Sequence, residues 1–209
     1  MQPATVILLN GTSSSGKTSI AKVLQEIMDA PFLHTGIDHF LERWPQRYHV
    51  TSNNPNSPLP DGYHWLTSAD GRELQELRIG PLGLQLEIGM YQAIAAFAAV
   101  GNHVIVDDVI FDPRTLAAAA RALFQTHAFF IGIRCALEIA EQRERARGDR
   151  FPGLVNAHYQ QVHSHGIYDL EVDTSLLTPM ECAQRVKQFL SERRQPTALH
   201  QLHQQFSGT

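Results

Sequence analysis

The chain has 209 residues, enough for one domain carrying a sizeable insertion and able to bury roughly 70% of its unfolded surface. Hydrophobic residues make up 43% and charged residues 18%, a balance that fits a globular protein and excludes disorder, a collagen-like repeat or a coiled coil. With 17 Lys and Arg against 21 Asp and Glu, the net charge of −4 speaks against a general nucleic-acid coat or a polybasic membrane anchor.

The first apolar run, residues 6–9, has no basic region before it and is too short for a signal peptide. The richest later stretch, residues 93–100, falls far short of a membrane span. Two cysteines, Cys135 and Cys182, form no CxxC pair and no disulfide framework. The expectation is a soluble, cytoplasmic protein with neither nucleic acid nor membrane as partner; a homo-oligomer is left open.

Short apolar runs alternate with longer segments of helical period, the pattern of a parallel sheet covered by helices. Residues 6–10 read as a strand buried on both faces, residues 11–16 as a turn, and Ile20, Val23, Leu24, Ile27 and Met28 as one face of a helix. A second strand is expected at 32–35 and a short helix near 39–44. From 45 to 70 the chain becomes polar and rich in Pro, Asn and Ser, which reads as an insertion reaching to about 80. Pro81 suits the first turn of a helix running to Gly101. Strands follow at 103–106, 128–133 and 168–172, and helices at 113–125, 136–147 and from Pro179. The tail, residues 196–209, is polar, shows no strong period and is expected to fray. The fold class is thus α/β: a three-layer arrangement of a five-stranded parallel sheet flanked by helices. One domain spans 1–195, with a lid at about 136–153.

Between the first strand and first helix stand Gly11, Thr12, Ser13, Ser14, Ser15, Gly16, Lys17 and Thr18, which fit G-x-x-x-x-G-K-S/T. Small residues let backbone N–H groups curl around a phosphate, the helix terminus adds partial positive charge, and Lys17 reaches the outer phosphates. The Thr18 hydroxyl suits Mg²⁺. The expected ligand is ATP or GTP.

Asp107 and Asp108 follow an apolar strand, so one carboxylate emerges at the phosphate end of the sheet while its neighbour points to the other side. Asp107 is the favoured partner of hydrated Mg²⁺, with Asp108 as helix cap, pocket wall or alternative. Asp38 follows the second strand at the same sheet edge; it suits both a helix N-cap and a general base that takes the proton of an attacking hydroxyl. On the charged helix, Arg143, Arg147 and Arg150 share one sector at about 100° per residue, with Arg145 nearly opposite. The three form a candidate lid over phosphate oxygens, and Arg145 is expected to pair with Glu141.

These residues, with Gly36-Ile37-Asp38, Ile79-Gly80-Pro81, Ile105-Val106-Asp107-Asp108, Ala146-Arg147-Gly148-Asp149-Arg150, Tyr168-Asp169 and Glu171-Val172-Asp173-Thr174, resemble the chloramphenicol phosphotransferase-like family of P-loop kinases. The matching blocks span most of residues 4–192. The resemblance implies ATP-dependent phosphorylation of a small-molecule hydroxyl, in the known case the primary hydroxyl of chloramphenicol, which inactivates the drug and confers antibiotic resistance. It also implies that Asp38 is the base and that Arg147 and Arg150 belong to the lid. Related P-loop kinases place loop groups beside adenine where Thr174 stands, although a simple turn accounts for it equally well. The alternatives are a nucleoside, sugar or other metabolite kinase, and a toxin-like or regulatory P-loop NTPase. Trp44, Tyr48, Trp65 and Phe111 suit either an aromatic acceptor wall or packing of the insertion. The eleven histidines include no HExxH pattern, so no zinc site is expected.

Overall fold

The computed structural model describes residues 4–148, 151–192 and 195–208. Strand β1 (Thr5–Asn10) is apolar without alternation because helices cover both faces of its sheet; Val6, Ile7, Leu8 and Leu9 are all fully buried. Helix α1 (Lys17–Ile27) starts from Gly16, whose φ of 95° turns the chain sharply out of the strand. Strand β2 (Phe32–Thr35) and the short helix α2 (Ile37–Leu41) follow. Gly36 between them cannot carry a side chain, since a Cβ there would lie 2.0 Å from the Asp107 carbonyl oxygen. That contact fixes α2 against the end of a neighbouring strand.

The insertion contains a second sheet that its polar composition conceals: β3 (His49–Ser52) pairs parallel with β4 (Tyr63–Thr67), which pairs antiparallel with β5 (Leu74–Ile79). Helix α3 (Pro81–Ala99) leads to β6 (His103–Asp108), α4 (Pro113–Leu123), β7 (His127–Arg134) and α5 (Leu137–Arg147). Then come α6 (Leu154–His158), β8 (Leu170–Asp173), α7 (Pro179–Ser191) and α8 (Ala198–Ser207). A capping box between Thr178 and Glu181 starts α7.

The main sheet has the order β2-β6-β1-β7-β8 and every neighbouring pair is parallel. Strand parity sorts its residues between two cores. Ile7, Leu9 and Ile105 join Ile20 and Leu24 of α1 and Val186 of α7, whereas Leu8, Val104 and Val106 join Met90 and Ile94 of α3, Leu123 of α4 and Leu202 of α8. The chain crosses from one side of β1 to the other between β6 and β7, which opens a crevice beyond the carboxyl ends of the strands.

The tail departs from the expectation of fraying. Residues 198–207 form α8, with Ala198, Leu199 and Leu202 buried. Only three large apolar residues, Leu199, Leu202 and Phe206, mark its period among glutamines and histidines, too few to stand out in the sequence. Asp169, distant in sequence, takes the place of a local cap: its Oδ1 accepts from the N–H groups of Thr197 (2.7 Å) and Ala198 (3.0 Å). The His203 ring stacks on Phe124 at 3.8 Å between centroids. We expect Leu202→Ala, at a fully buried site, to cost about 2–5 kcal/mol in chemical denaturation; a cost near zero would mean that α8 is not part of the core.

Candidate active site

The loop after β1 is shaped by close packing. A Cβ on Gly11 would stand 2.5 Å from the Ile133 carbonyl oxygen, and Ser14 adopts a φ of 58°, which a non-glycine residue seldom does. Asn10 anchors the loop's start by donating to Val162 O (3.0 Å) and Tyr168 Oη (2.8 Å) and accepting from Ile110 N (2.9 Å). The hydroxyl oxygens of Ser14 and Ser15 are buried without a hydrogen-bond partner among the described residues. Buried hydroxyls are seldom left so, and a phosphate lying in the loop would satisfy that of Ser14, which lines the cavity; the residues fit the group. Lys17 is 6% exposed and donates to Thr12 O at 2.9 Å, closing the loop on itself.

Thr18 Oγ1 donates to Asp107 Oδ2 at 2.5 Å, and Lys17 Nζ lies 3.9 Å from Asp107 Oδ1. The His34 Nε2 stands 3.6 Å from the same carboxylate, an electrostatic contact longer than a hydrogen bond. Burial pushes the Asp107 pKa up, but the His34 ring, the Lys17 ammonium and the Thr18 hydroxyl together hold it below the usual carboxylate range. A hydroxyl and an ionised carboxylate side by side at the helix start are the donor set that hydrated Mg²⁺ takes, so these two residues fit that ion.

Asp108, one residue on, points to the opposite side of the sheet, where Tyr91 Oη donates to its Oδ2. Its complete burial pushes its pKa up to about 6. Beyond it lies Glu87, 5% exposed, whose Oε1 accepts from Tyr63 Oη at 2.7 Å and whose Oε2 accepts from Thr115 Oγ1. Burial, with the nearby Asp108 charge, pushes Glu87 up to about 7.

Lys17, Thr18, Asp107, Asp108 and Glu87 meet at one cavity of about 490 Å³, within the size range of small-molecule sites. Its wall includes Ser13, Ser14, Gly16, Lys17 and Thr18 of the loop, Asp38, Asp107, Arg143, Arg147 and Thr174. Gly11, Thr12 and Ser15 are the loop's buried foundation rather than its lining. Asp38 sits in the first turn of α2, which begins at Ile37 after Gly36, two residues earlier than a cap at Asp38 would require. It lines the same cavity as Lys17.

Arg143 is held in place: its guanidinium donates to Thr174 Oγ1 (3.0 Å) and Thr174 O (2.8 Å). Thr174 in turn donates to Ser15 O at 2.7 Å, so it ties the end of β8 to the phosphate loop. Arg145 lies within 3.8 Å of Glu141, the pairing expected of an outward residue. Helix α5 ends at Arg147, with Gly148 at φ 66°, so helical spacing relates Arg143 to Arg147 and no further; Arg150 lies outside the described residues.

The remaining wall comes from Ile37 and Leu41 of α2, Tyr63, Trp65 and Leu77 of the second sheet, Phe111, and Leu154 and His158 of α6. Trp65 and Phe111 are thus in the cavity. Trp44 and Tyr48 are not: they stack on each other at 5.0 Å and line a separate groove with Phe40, Leu82 and Leu86. His158 is 2% exposed, packs its ring 5.0 Å from Phe111 and has no partner for Nδ1 among the described residues. Burial, reinforced by the Lys17 charge, lowers its pKa to about 4, so it is neutral near pH 7. Sequence reasoning missed both Glu87 and His158. Glu87 did leave a signal, as the single charged residue in α3, on the helix's buried stripe.

Comparison with known proteins shows the family and the fold that this chain resembles. Residues 4–191 match the family model described as "Chloramphenicol phosphotransferase-like protein". A protein of Mycobacterium tuberculosis (strain H37Rv) described as a "Putative O-phosphotransferase" is 32% identical over 211 residues, covering 99% of this chain and 91% of the relative. Among solved structures, the Mycobacterium tuberculosis APS kinase CysC in complex with AMPPNP and APS superposes with a TM-score of 0.59 at 16% identity, covering 90% of this chain and 98% of that one. Shikimate kinase from Acinetobacter baumannii in complex with shikimate gives 0.57 at 14% identity, covering 91% and 95%. At such identities the structural likeness establishes the P-loop kinase fold.

Proposed function

Since the chain belongs to the chloramphenicol phosphotransferase-like family of P-loop small-molecule kinases, we propose that it transfers the γ-phosphoryl group of ATP to a hydroxyl of a small molecule. The observation that carries this reading is that Lys17, Thr18, Asp107, Asp38 and Arg147, drawn from four separate elements, line a single cavity with apolar walls. The phosphate loop holds the triphosphate through its backbone N–H groups and Lys17. Thr18 and Asp107 hold Mg²⁺, which neutralises charge on the β- and γ-phosphates.

The Asp38 carboxylate accepts the proton of the acceptor hydroxyl as that oxygen forms its bond to the γ-phosphorus. The bond from the γ-phosphorus to the bridging oxygen breaks, ADP leaves with the electron pair, and Asp38 then returns its proton to solvent. Arg143 and Arg147 spread the negative charge of the transferring group; Arg143, pinned to Thr174, does so without moving. Arg150 is included in this role on the family resemblance alone.

The acceptor wall of Trp65, Phe111, Leu77 and Leu154 suits a molecule with an aromatic or aliphatic body, and chloramphenicol is the first compound to test. Incubation with Mg-ATP and a panel of chloramphenicol, nucleosides, sugars and other alcohols, read by mass spectrometry, is expected to show a mass gain of one phosphoryl group on at least one compound. ATP turnover indifferent to every acceptor would overturn the reading in favour of a regulatory NTPase.

A further inference from the structure

The three described cations that face the cavity, Lys17, Arg143 and Arg147, belong to the phosphate loop and to α5. The rest of the wall, built by α2, the second sheet, α3, the segment after β6 and α6, presents no lysine or arginine among the described residues, and its one histidine, His158, is neutral near pH 7. It does present Glu87, which the transfer chemistry leaves without a task.

Glu87 is buried in a helix that is otherwise without charge, and among the described residues no Lys, Arg or His forms an ion pair with it. The nearby Arg114 has its guanidinium turned to Asp112 and the Ile79 carbonyl. A carboxylate in such a place is costly unless it is well supplied with donors. Tyr63 and Thr115 each donate once, one to each oxygen, and fix the carboxylate's orientation. Each oxygen has two acceptor directions, so capacity remains for a donor arriving from the cavity that Glu87 lines.

We propose that Glu87 is a specificity-determining residue. It accepts a hydrogen bond from an amine or hydroxyl at a second point of the acceptor, apart from the hydroxyl that is phosphorylated, and it rejects acceptors that carry a carboxylate, phosphate or sulfate at that point. The attractive half is a charge-assisted hydrogen bond, strongest for an ammonium group. The repulsive half follows because an anion entering this wall meets no counter-cation and, above about pH 7 where Glu87 is ionised, a buried negative charge. Tyr63, Trp65 and Phe111 in the same wall add no cation that could offset an entering anion.

The inference rests on the kinase reading, and its test separates the two. Aryl-propanol acceptors of one skeleton, bearing an ammonium, a hydroxyl or a carboxylate at the far end, are compared by kcat/KM with Mg-ATP at pH 8, above the Glu87 value of about 7. The ammonium and hydroxyl members are expected to exceed the carboxylate member by roughly 100-fold. Glu87→Gln, which keeps an acceptor oxygen and loses the charge, is expected to narrow the ammonium-to-carboxylate ratio by about 10-fold or more, with nucleotide affinity and melting temperature checked alongside. A ratio near one in the parent protein, or one favouring the carboxylate, overturns the proposal even if Glu87→Gln fails to fold; so does a folded Glu87→Gln protein with the parent's ratio. If no member of this series or the wider panel is phosphorylated, the kinase reading falls and takes this inference with it.

Discussion

Asp38→Asn is expected to lower acceptor phosphorylation by roughly 100-fold or more while nucleotide affinity stays close to that of the parent protein. The asparagine keeps the size and the hydrogen-bonding oxygen of the side chain, so it can still orient a hydroxyl, but it cannot take the proton as the new bond forms. Nothing in the local fold should compensate by moving. Helix α2 is locked at Gly36 against the end of β6, where there is no room for even a methyl group, and this rigidity fixes Asp38 relative to Asp107. The measurement is kcat with saturating acceptor, together with calorimetric titration of a non-hydrolysable nucleotide. Undiminished kcat would remove Asp38 from the chemistry; lost nucleotide affinity would assign it to the phosphate site instead.

The placement of Asp38 is legible in the sequence because a parallel sheet imposes it: the loops leaving the carboxyl ends of the strands all emerge at one edge, so the ends of β1, β2 and β6 have to meet. The same rule, with strand parity, separates Asp107 from Asp108 on sequence alone, and the two carboxylates do point to different cores. Legibility fails where a structure depends on partners far away in the chain. The strands of the second sheet are short and interrupted by polar turns, and they are held by close contacts such as Gly80 against the Pro60 carbonyl and Gly62 against the Tyr48 carbonyl. Helix α8 is capped by Asp169, 28 residues before Thr197, and so lacks a local start signal. The arginine face is legible as a spacing and not as a device. That Arg143 is pinned by Thr174, and Thr174 by Ser15, depends on the return of β8 beside β7, which periodicity does not encode. Helix α6 illustrates the same limit: Glu144 reaches from α5 to accept from the N–H groups of Gly153 (3.0 Å) and Val155 (2.9 Å) at its start.

Lys17→Ala is expected to weaken nucleotide binding by about 10- to 100-fold and to lower kcat by about 100-fold or more, because the same ammonium compensates phosphate charge in the ground state and in the transition state. Its second effect falls on Asp107. That carboxylate is buried and is held below the usual range partly by Lys17, so removing the cation raises its pKa and leaves Thr18 and His34 to keep it ionised. The consequence for stability has a definite sign. A depressed carboxylate pKa stabilises the folded chain above the unfolded value and ceases to do so as pH falls and the group is protonated. Whatever stability Lys17→Ala loses through Asp107 is therefore present at pH 7 and vanishes at pH values well below the ordinary aspartate range. Denaturation curves for the parent and variant proteins at pH 7 and near pH 2, set beside a double-mutant cycle with Asp107→Asn, separate this contribution from the loss of the Lys17 hydrogen bond to Thr12. Additive effects of the two substitutions on nucleotide affinity would show that the pair does not act together; unchanged kinetics in Lys17→Ala would overturn the assignment of the loop to phosphate.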